Sequence, residues 1–200
     1  MSNRQTEETD NQKNLRILVT YYSQSNNTLL LANTLRDYLS DQHTVTAAEI
    51  TSQNPSTLEE YDLIIVGSPC HNSDLAAPVR NFLRQVPSNP SFKLAGFCCH
   101  ATYRRNDSHP RAQQLFDQWA ARGLNSFREL SVEKNIDLLG VFNCMGAPSP
   151  EIMEFIHREI VPDEEEWSIY RDEVMLHPTD TDLDELVEFA EWIIKESSIK

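Results

Sequence analysis

Residues 15–28 read Leu-Arg-Ile-Leu-Val-Thr-Tyr-Tyr-Ser-Gln-Ser-Asn-Asn-Thr, and two chemistries meet in that stretch. Arg16 to Tyr21 is a short run rich in Ile, Val, Leu and Tyr, without Gly or Pro. Such a run at the head of an α/β pattern predicts a strand buried on both faces. Residues 23–28 are all hydroxyl or amide residues, and LLLANTLRDYL follows at once, with apolar residues at 29, 31, 32, 35 and 39. That is a helical spacing. Strand, polar loop and helix start in succession aim backbone N–H groups and hydroxyls at one point, with the helix dipole behind them. A phosphate group suits that point. An ordinary capped turn, with Ser25, Asn26 or Asn27 satisfying the first helical turn, suits the same residues. Taken alone, the stretch leaves both readings open.

Outward from there the chain alternates. A second strand is expected over 43–50, near an edge of the sheet, and the clearest strand is DLIIVG at 62–67. Gly67 and Pro69 are expected to stop it in a polar loop reaching Asp74. A helix follows over 76–83, with Pro78 in its first turn. FKLAGFCC at 92–99 is the fourth strand, and a long polar loop runs over 100–109. Residues 110–122 predict a helix opened by Pro110 and closed by Gly123. Residues 126–134 fit either a short strand or a link. DLLGVFNC at 137–144 is the fifth strand, 151–160 is helical, 162–177 irregular and acidic, and 181–195 a closing amphipathic helix. This alternation predicts one domain over 15–200, with a parallel sheet and helices on both faces. Ligands of such sheets sit beyond the carboxyl ends of the strands. The polar loops after strands one, three and four share that end, which moves the phosphate reading ahead.

Charge and composition narrow the partners. The 200 residues carry a formal charge of −14, and residues 151–200 hold 16 Asp or Glu against 4 Lys or Arg. Such a field repels nucleic acid and anionic membranes, and no apolar stretch is long enough to span a bilayer. The acidic quarter reads as a solvated face, or as a patch that steers a basic redox partner. The first 14 residues are polar and lack the apolar segment of a signal peptide, which predicts a disordered leader and a cytoplasmic chain. Cys70, Cys98, Cys99 and Cys144 then stay reduced. They fall at the ends of neighbouring strands, beside His71 and His100. Metal or thiol chemistry is one reading of that cluster, and small buried hydrophobes the plainer one. Adjacent Cys98 and Cys99 must point to opposite faces. Arg104 and Arg105 follow the fourth strand and would meet a nucleotide or a carboxylate, or simply lie exposed. No Ser-His-Asp or paired-carboxylate arrangement points to a hydrolase.

Four motifs give the pattern a family. Ser23-Gln-Ser-Asn-Asn-Thr28 is similar, at every position but one, to the [ST]-x-[ST]-G-x-T phosphate loop of the flavodoxin family. Tyr61-Asp-Leu-Ile-Ile-Val-Gly-Ser-Pro69 resembles that family's third strand and following loop, and Phe142-Asn-Cys-Met-Gly146 its F-x-C-x-G strand ending. His177-Pro178 followed by Asp182-Leu183 resembles a C-terminal signature. The resemblance covers about residues 15–195. It implies an α/β flavodoxin-like fold, a three-layer α/β/α sandwich on a five-stranded parallel sheet of order 2-1-3-4-5, with flavin mononucleotide (FMN) as cofactor. Ser23, Gln24, Ser25, Asn26, Asn27 and Thr28 would then wrap the phosphate without any cation. Ser68, Pro69, Cys70, His71 and Asn72 would border one side of the flavin ring, and His100, Ala101, Thr102 and Tyr103 the other.

Two departures stand out. Asn26 replaces the usual Gly, and Asn is the least costly non-Gly residue where φ is positive. The third-strand loop lacks its usual aromatic, which leaves His71 as the nearest substitute and Tyr103 as the best stacking candidate. The resemblance favours electron transfer through bound FMN, with a redox partner protein that presents a basic face. One alternative is an FMN-dependent NAD(P)H:quinone or nitro reductase acting on a small quinone-type acceptor. The other is a flavin-free fold kept as a binding module.

Overall fold

The apolar run at the head of the chain is β1 (Arg16–Tyr21), and it leads directly into α1 (Asn27–Leu39). The computed structural model describes residues 14–197. Most of the expected leader over 1–14 therefore lies outside the described residues, whereas Asn14 accepts the Thr44 N–H at 3.0 Å. After α1 come β2 (Thr44–Glu49), β3 (Leu63–His71), the two-residue β4 (Asp74–Leu75) and α2 (Ala77–Gln85). Then follow β5 (Lys93–His100), α3 (Ala112–Trp119), α4 (Ala121–Lys134) and β6 (Leu138–Met145). The chain ends through α5 (Pro150–Glu159), α6 (Glu164–Val174) and α7 (Asp180–Ser197).

The five long strands are parallel in the order β2-β1-β3-β5-β6, which is the expected 2-1-3-4-5 arrangement, and β4 adds a short antiparallel strand to the end of β3. The continuous apolar runs have their cause in the two layers of helix. Leu18, Ile64 and Val66 pack on one side with Val79 of α2 and Phe127 of α4. Ile17, Val19, Ile65 and Phe97 pack on the other with Leu31 of α1 and Ile193 of α7. Cys98 belongs to the first layer and Cys99 to the second, so the adjacent thiols do face apart. Among the described residues no helix is long and apolar enough to cross a membrane.

Several local expectations change, and residues 126–134, expected as a short strand or a link, are helical within α4. Gly67 does not stop β3, which runs on to His71. Gly67 pairs with Phe97, and a Cβ there would lie 2.1 Å from the Phe97 ring, so glycine makes room for that ring inside the strand. β1 pairs with β3 only as far as Gly67, so Pro69 lies where β3 has lost one neighbour and a missing N–H breaks no ladder on that side. Gly123 does not close a helix either. It lies within α4, 3.5 Å from Cys98 Sγ by its would-be Cβ, and α4 ends instead at Asn135 with φ 51°. Burial of Gly123, Leu124, Phe127, Leu130 and Ser131 along one helical face outweighs the breaker. The acidic residues after 162 form α6, which Asp163 caps by accepting the Glu166 N–H at 2.9 Å.

Between β6 and α7 the chain makes an excursion, residues 147–177, whose two ends meet: the Ala147 N–H donates to the His177 carbonyl at 2.9 Å. It has a small core of its own, in which Ile156, Val161, Tyr170 and Val174 pack with Tyr103, Leu115 and Met145. Just past its end, buried Asp182 accepts the Thr179 N–H at 2.7 Å, the Thr179 hydroxyl at 2.9 Å and the His177 ring.

Candidate functional site

The polar loops converge at the carboxyl rim of the sheet. A cavity of about 680 Å³ is lined there by Gln24, Ser25, Asn27 and Thr28, by Pro69, Cys70, His71 and Asn72, and by Cys99, His100 and Ala101. The excursion closes the remaining side with Gly146, Ala147, Pro148, Ser149, Pro150 and Ile152. Among the described residues no Lys, Arg, Asp or Glu lines it.

One end is the N-terminus of α1. Asn26 takes φ 66°, the left-handed conformation expected where a glycine is usual, and its carbonyl accepts the Leu30 N–H at 2.8 Å. The Ser23 hydroxyl accepts the Leu29 N–H at 3.3 Å, so Ser23 caps the helix and does not line the cavity. Asn26 does not line it either; its role is to turn the chain. The Asn27 amide donates to the Ala147 carbonyl at 2.8 Å and toward the Ser25 hydroxyl at 3.2 Å, which joins the loop to the excursion. The Asn27 and Thr28 N–H groups have no acceptor within the helix, and with the hydroxyls of Ser25 and Thr28 they form a neutral donor set suited to an anion.

The other end is built by the turn after β3. Asn72 (φ 50°) and Ser73 (φ 64°) both adopt positive φ, as a two-residue hairpin turn requires, and they fold β4 back on β3. The hairpin holds Cys70 and His71 at the cavity wall. His71 is half-buried, edge-on to Tyr22 with ring centroids 6.2 Å apart. Burial, helped by Arg80, lowers its pKa and keeps the ring neutral at pH 7. Ser68 lies beneath: fully buried, its hydroxyl donates to the Pro69 carbonyl at 2.8 Å and accepts the Ala76 N–H at 2.9 Å, so it supports the loop from behind. His100 is buried, with Nδ1 2.9 Å from the Thr102 carbonyl and Nε2 3.0 Å from the Asn143 amide oxygen. Burial lowers its pKa against those two hydrogen bonds.

Two expected residues lie elsewhere. Tyr103 does not line the cavity. It is buried in the core of the excursion, stacked on His109 at 4.2 Å and edge-on to Tyr170, and burial raises its pKa to about 12. Thr102 lines a neighbouring cavity. The excursion residues 146–152 were not anticipated as walls, and only Gly146 belonged to a quoted motif. A Cβ on Gly146 would lie 2.2 Å from Cys99 Sγ and 2.9 Å from Asn27 Nδ2, so this crossing of loop, strand and excursion admits only glycine.

Arg104 and Arg105 face a cleft of about 770 Å³ along β6 and α4, away from the rim cavity. Both are paired within the chain, Arg104 with Asp182 and Glu185, Arg105 with Asp117. Burial raises the Cys70 pKa to about 12 and pushes the Cys98 thiol well above its ordinary range, which makes both poor nucleophiles. Among the described residues no three of His, Cys, Asp or Glu are placed to hold a metal ion.

A flavodoxin domain model matches residues 18–163. Flavodoxin 2 of Bacillus cereus superposes with a TM-score of 0.60 at 19% identity, over 90% of this chain and 99% of that one. Flavodoxin 1 of the same organism gives 0.59 at 16% identity, over 92% and 99%. A rubredoxin oxygen:oxidoreductase of Desulfovibrio gigas gives 0.58 at 16% identity, over 93% of this chain and only 37% of that larger one. Among curated proteins none matches in sequence.

Proposed function

The chain belongs to the flavodoxin family, and from that premise we propose that it binds FMN in the rim cavity and moves electrons through it. One observation carries the reading: a single uncharged cavity runs from the open N-terminus of α1 to the loops after β3 and β5. Its volume falls within the range of about 300–1,000 Å³ usual for small-molecule sites. Ser25, Asn27, Thr28 and the first N–H groups of α1 would hold the phosphate by aligned dipoles alone. Pro69, His71 and Asn72 would border the ring on one side, and His100 and Ala101 on the other. When bound, FMN supplies one- and two-electron chemistry. The protein's work is to seat it, limit water, and keep neutral His71 beside it, so that no protonated imidazole at that position stabilises negative charge.

As an electron carrier the protein would meet a redox partner with a basic face, drawn to the acidic α6 and α7. A second reading, reductase action on a small acceptor, is favoured by the apolar cavity beside the rim. Titration of the purified protein with FMN tests the main reading. Quenched flavin fluorescence and a yellow protein after desalting are expected, and a colourless protein would overturn it. Steady-state NAD(P)H oxidation with a quinone separates the two roles, since turnover by the protein alone removes the carrier.

A further inference from the structure

Far from the rim cavity, β6 forms one edge of the sheet, because only β5 pairs with it. Just past its end the Gly146 N–H donates to the His100 carbonyl at 2.9 Å, so Gly146 turns its backbone groups toward β5. Those groups alternate sides along a strand. Cys144 and Phe142 therefore also bond β5, while Asn143 and Val141 turn N–H and C=O outward. Among the described residues no strand meets those outward groups. Edges of this kind are usually guarded by Lys, Pro, a bulge or a covering segment. Residues 138–145 contain no charged residue and no Pro, and the register irregularity lies at the start, by Leu138. The cleft of about 770 Å³ runs along this edge, with Leu124 and Arg128 of α4 on one bank and Glu185 and Phe189 of α7 on the other. Its α7 side is aromatic: Phe142 and Phe189 lie 5.9 Å apart, and Phe189 lies 5.9 Å from the half-exposed Trp192. Arg104 is taken by Glu185 and Arg105 by Asp117. Exposed Arg128 only donates to the Asn125 amide oxygen at 3.0 Å, and among the described residues no carboxylate pairs with it.

We infer that the open edge of β6 takes an extended segment of another protein as an added strand, about five residues long, mostly apolar, with one Asp or Glu set against Arg128. The outward N–H and C=O groups of Val141 and Asn143 supply main-chain pairing. Alternate side chains of the added strand then point to the α4 bank, toward Leu124, and to the α7 bank, toward Phe142 and Phe189. One carboxylate meets the one guanidinium of the cleft that lacks an acidic partner. A run of acidic residues does not suit, because the formal charge of −14 repels it. The same charge disfavours a second copy of this chain at the edge. This surface is independent of whether FMN fills the rim cavity.

The test selects phage-displayed random heptapeptides on the full chain and follows the enriched sequences as synthetic peptides. Enriched peptides should be rich in β-branched and aromatic residues and carry one Asp or Glu. At saturation, hydrogen exchange read by NMR should slow about tenfold or more at the Val141 and Asn143 amides, while those of Phe142 and Cys144, already bonded to β5, stay unchanged. N-methylation of alternate peptide residues should abolish binding in one phase of the alternation and spare it in the other, as only a strand requires. Arg128→Glu, on the exposed face of α4, should weaken binding about fivefold, and Arg128→Lys should restore most of it. Failure to enrich any peptide overturns the inference, as do protection of amides elsewhere, indifference to N-methylation, or binding unchanged by Arg128→Glu. Removal of residues 1–13 should leave affinity unaltered. A tenfold gain on that removal would give the edge to the chain's own leader, and a dimer in sedimentation that the peptide dissociates would give it to a second copy; either result overturns the partner assigned here. Should Arg128→Glu fail to fold, exchange and N-methylation on the unmodified chain still decide.

Discussion

Residues 17–19 of β1 and 63–66 of β3 are sealed almost completely between two layers of helix, whereas α5 of the excursion buries only Ile156 and leaves Ile152 49% exposed. Ile169, Met175 and Leu176 are more exposed still. Both regions wall the same cavity, yet different forces hold them. The sheet is fixed by burial on two sides and by parallel ladders. The excursion is fixed by a small core, by the meeting of Ala147 with His177, and by the Asp182 clasp. The polar, phosphate-suited end of the site therefore rests on the rigid body, and the side closed by the excursion rests on the less deeply buried part.

The largest effect that bears on this contrast is expected at Phe97, fully buried between β3 and the α1–α7 layer. Phe97→Ala should cost about 3–5 kcal/mol, because it leaves a cavity opposite Gly67 that the sheet cannot collapse. Tyr170→Phe removes only the hydroxyl that donates to the Ala101 carbonyl, and should cost about 1 kcal/mol. Urea unfolding followed by circular dichroism reads both. Equal losses would mean that excursion and sheet unfold as one unit, and the contrast would fail.

The clasp comes next, and its strength depends on pH. Burial alone would push the Asp182 carboxyl up, but the His177 ring, the Thr179 N–H and the Thr179 hydroxyl outweigh it and hold it below the ordinary carboxylate range. A depressed folded pKa stabilises the fold above the unfolded value of about 4, and that contribution fades as pH falls through the lower folded value. Asp182→Asn should thus cost about 2 kcal/mol at pH 7, in line with hydrogen bonds to a charged group. The gap between variant and parent should narrow on going to pH 3. A gap unchanged between those two pH values would show that the carboxylate's charge is not what holds the excursion's end.

Much of the rigid half was legible in the sequence because its signals are local. DLIIVG and FKLAGFCC are continuous apolar runs, and the 23–28 loop announces a helix N-terminus by residue type alone. Other signals were present but overridden. Gly67 and Gly123 carry the marks of breakers, yet each is the small residue that lets Phe97 or Cys98 approach, a reason visible only across strands. The α6 helix was missed although Asp163 and Glu166 stand at capping spacing, because the acidic run masked the spacing of Tyr170 and Val174. Tyr103 was misplaced because an aromatic in a rim loop looks available to a ligand, and nothing in its neighbourhood shows that residues about 50–70 positions later will bury it. The excursion's share of the cavity, residues 147–150 and 152, has no motif at all. It exists only through packing.

The smallest effect concerns the residue on which the polar end turns. Asn26 has φ 66° and ψ −8°, a conformation that costs a β-branched residue most, glycine least, and Asn little more than glycine. Asn26→Gly should therefore change stability by less than about 0.5 kcal/mol, the relief of mild strain being offset by the freer unfolded chain. Asn26→Val should cost about 1–2 kcal/mol and, because the turn aims the first N–H groups of α1, should weaken FMN binding more than it weakens the fold. Parallel measurements of unfolding and FMN affinity separate the two consequences. If Asn26→Val left FMN affinity intact while lowering stability, the turn would serve only to start the helix, and the anion would be held by the Ser25 and Thr28 hydroxyls instead. If Asn26→Gly tightened FMN by tenfold or more, the asparagine would be a real handicap at this site, and the rim cavity would be a weaker flavin seat than its uncharged donor set suggests.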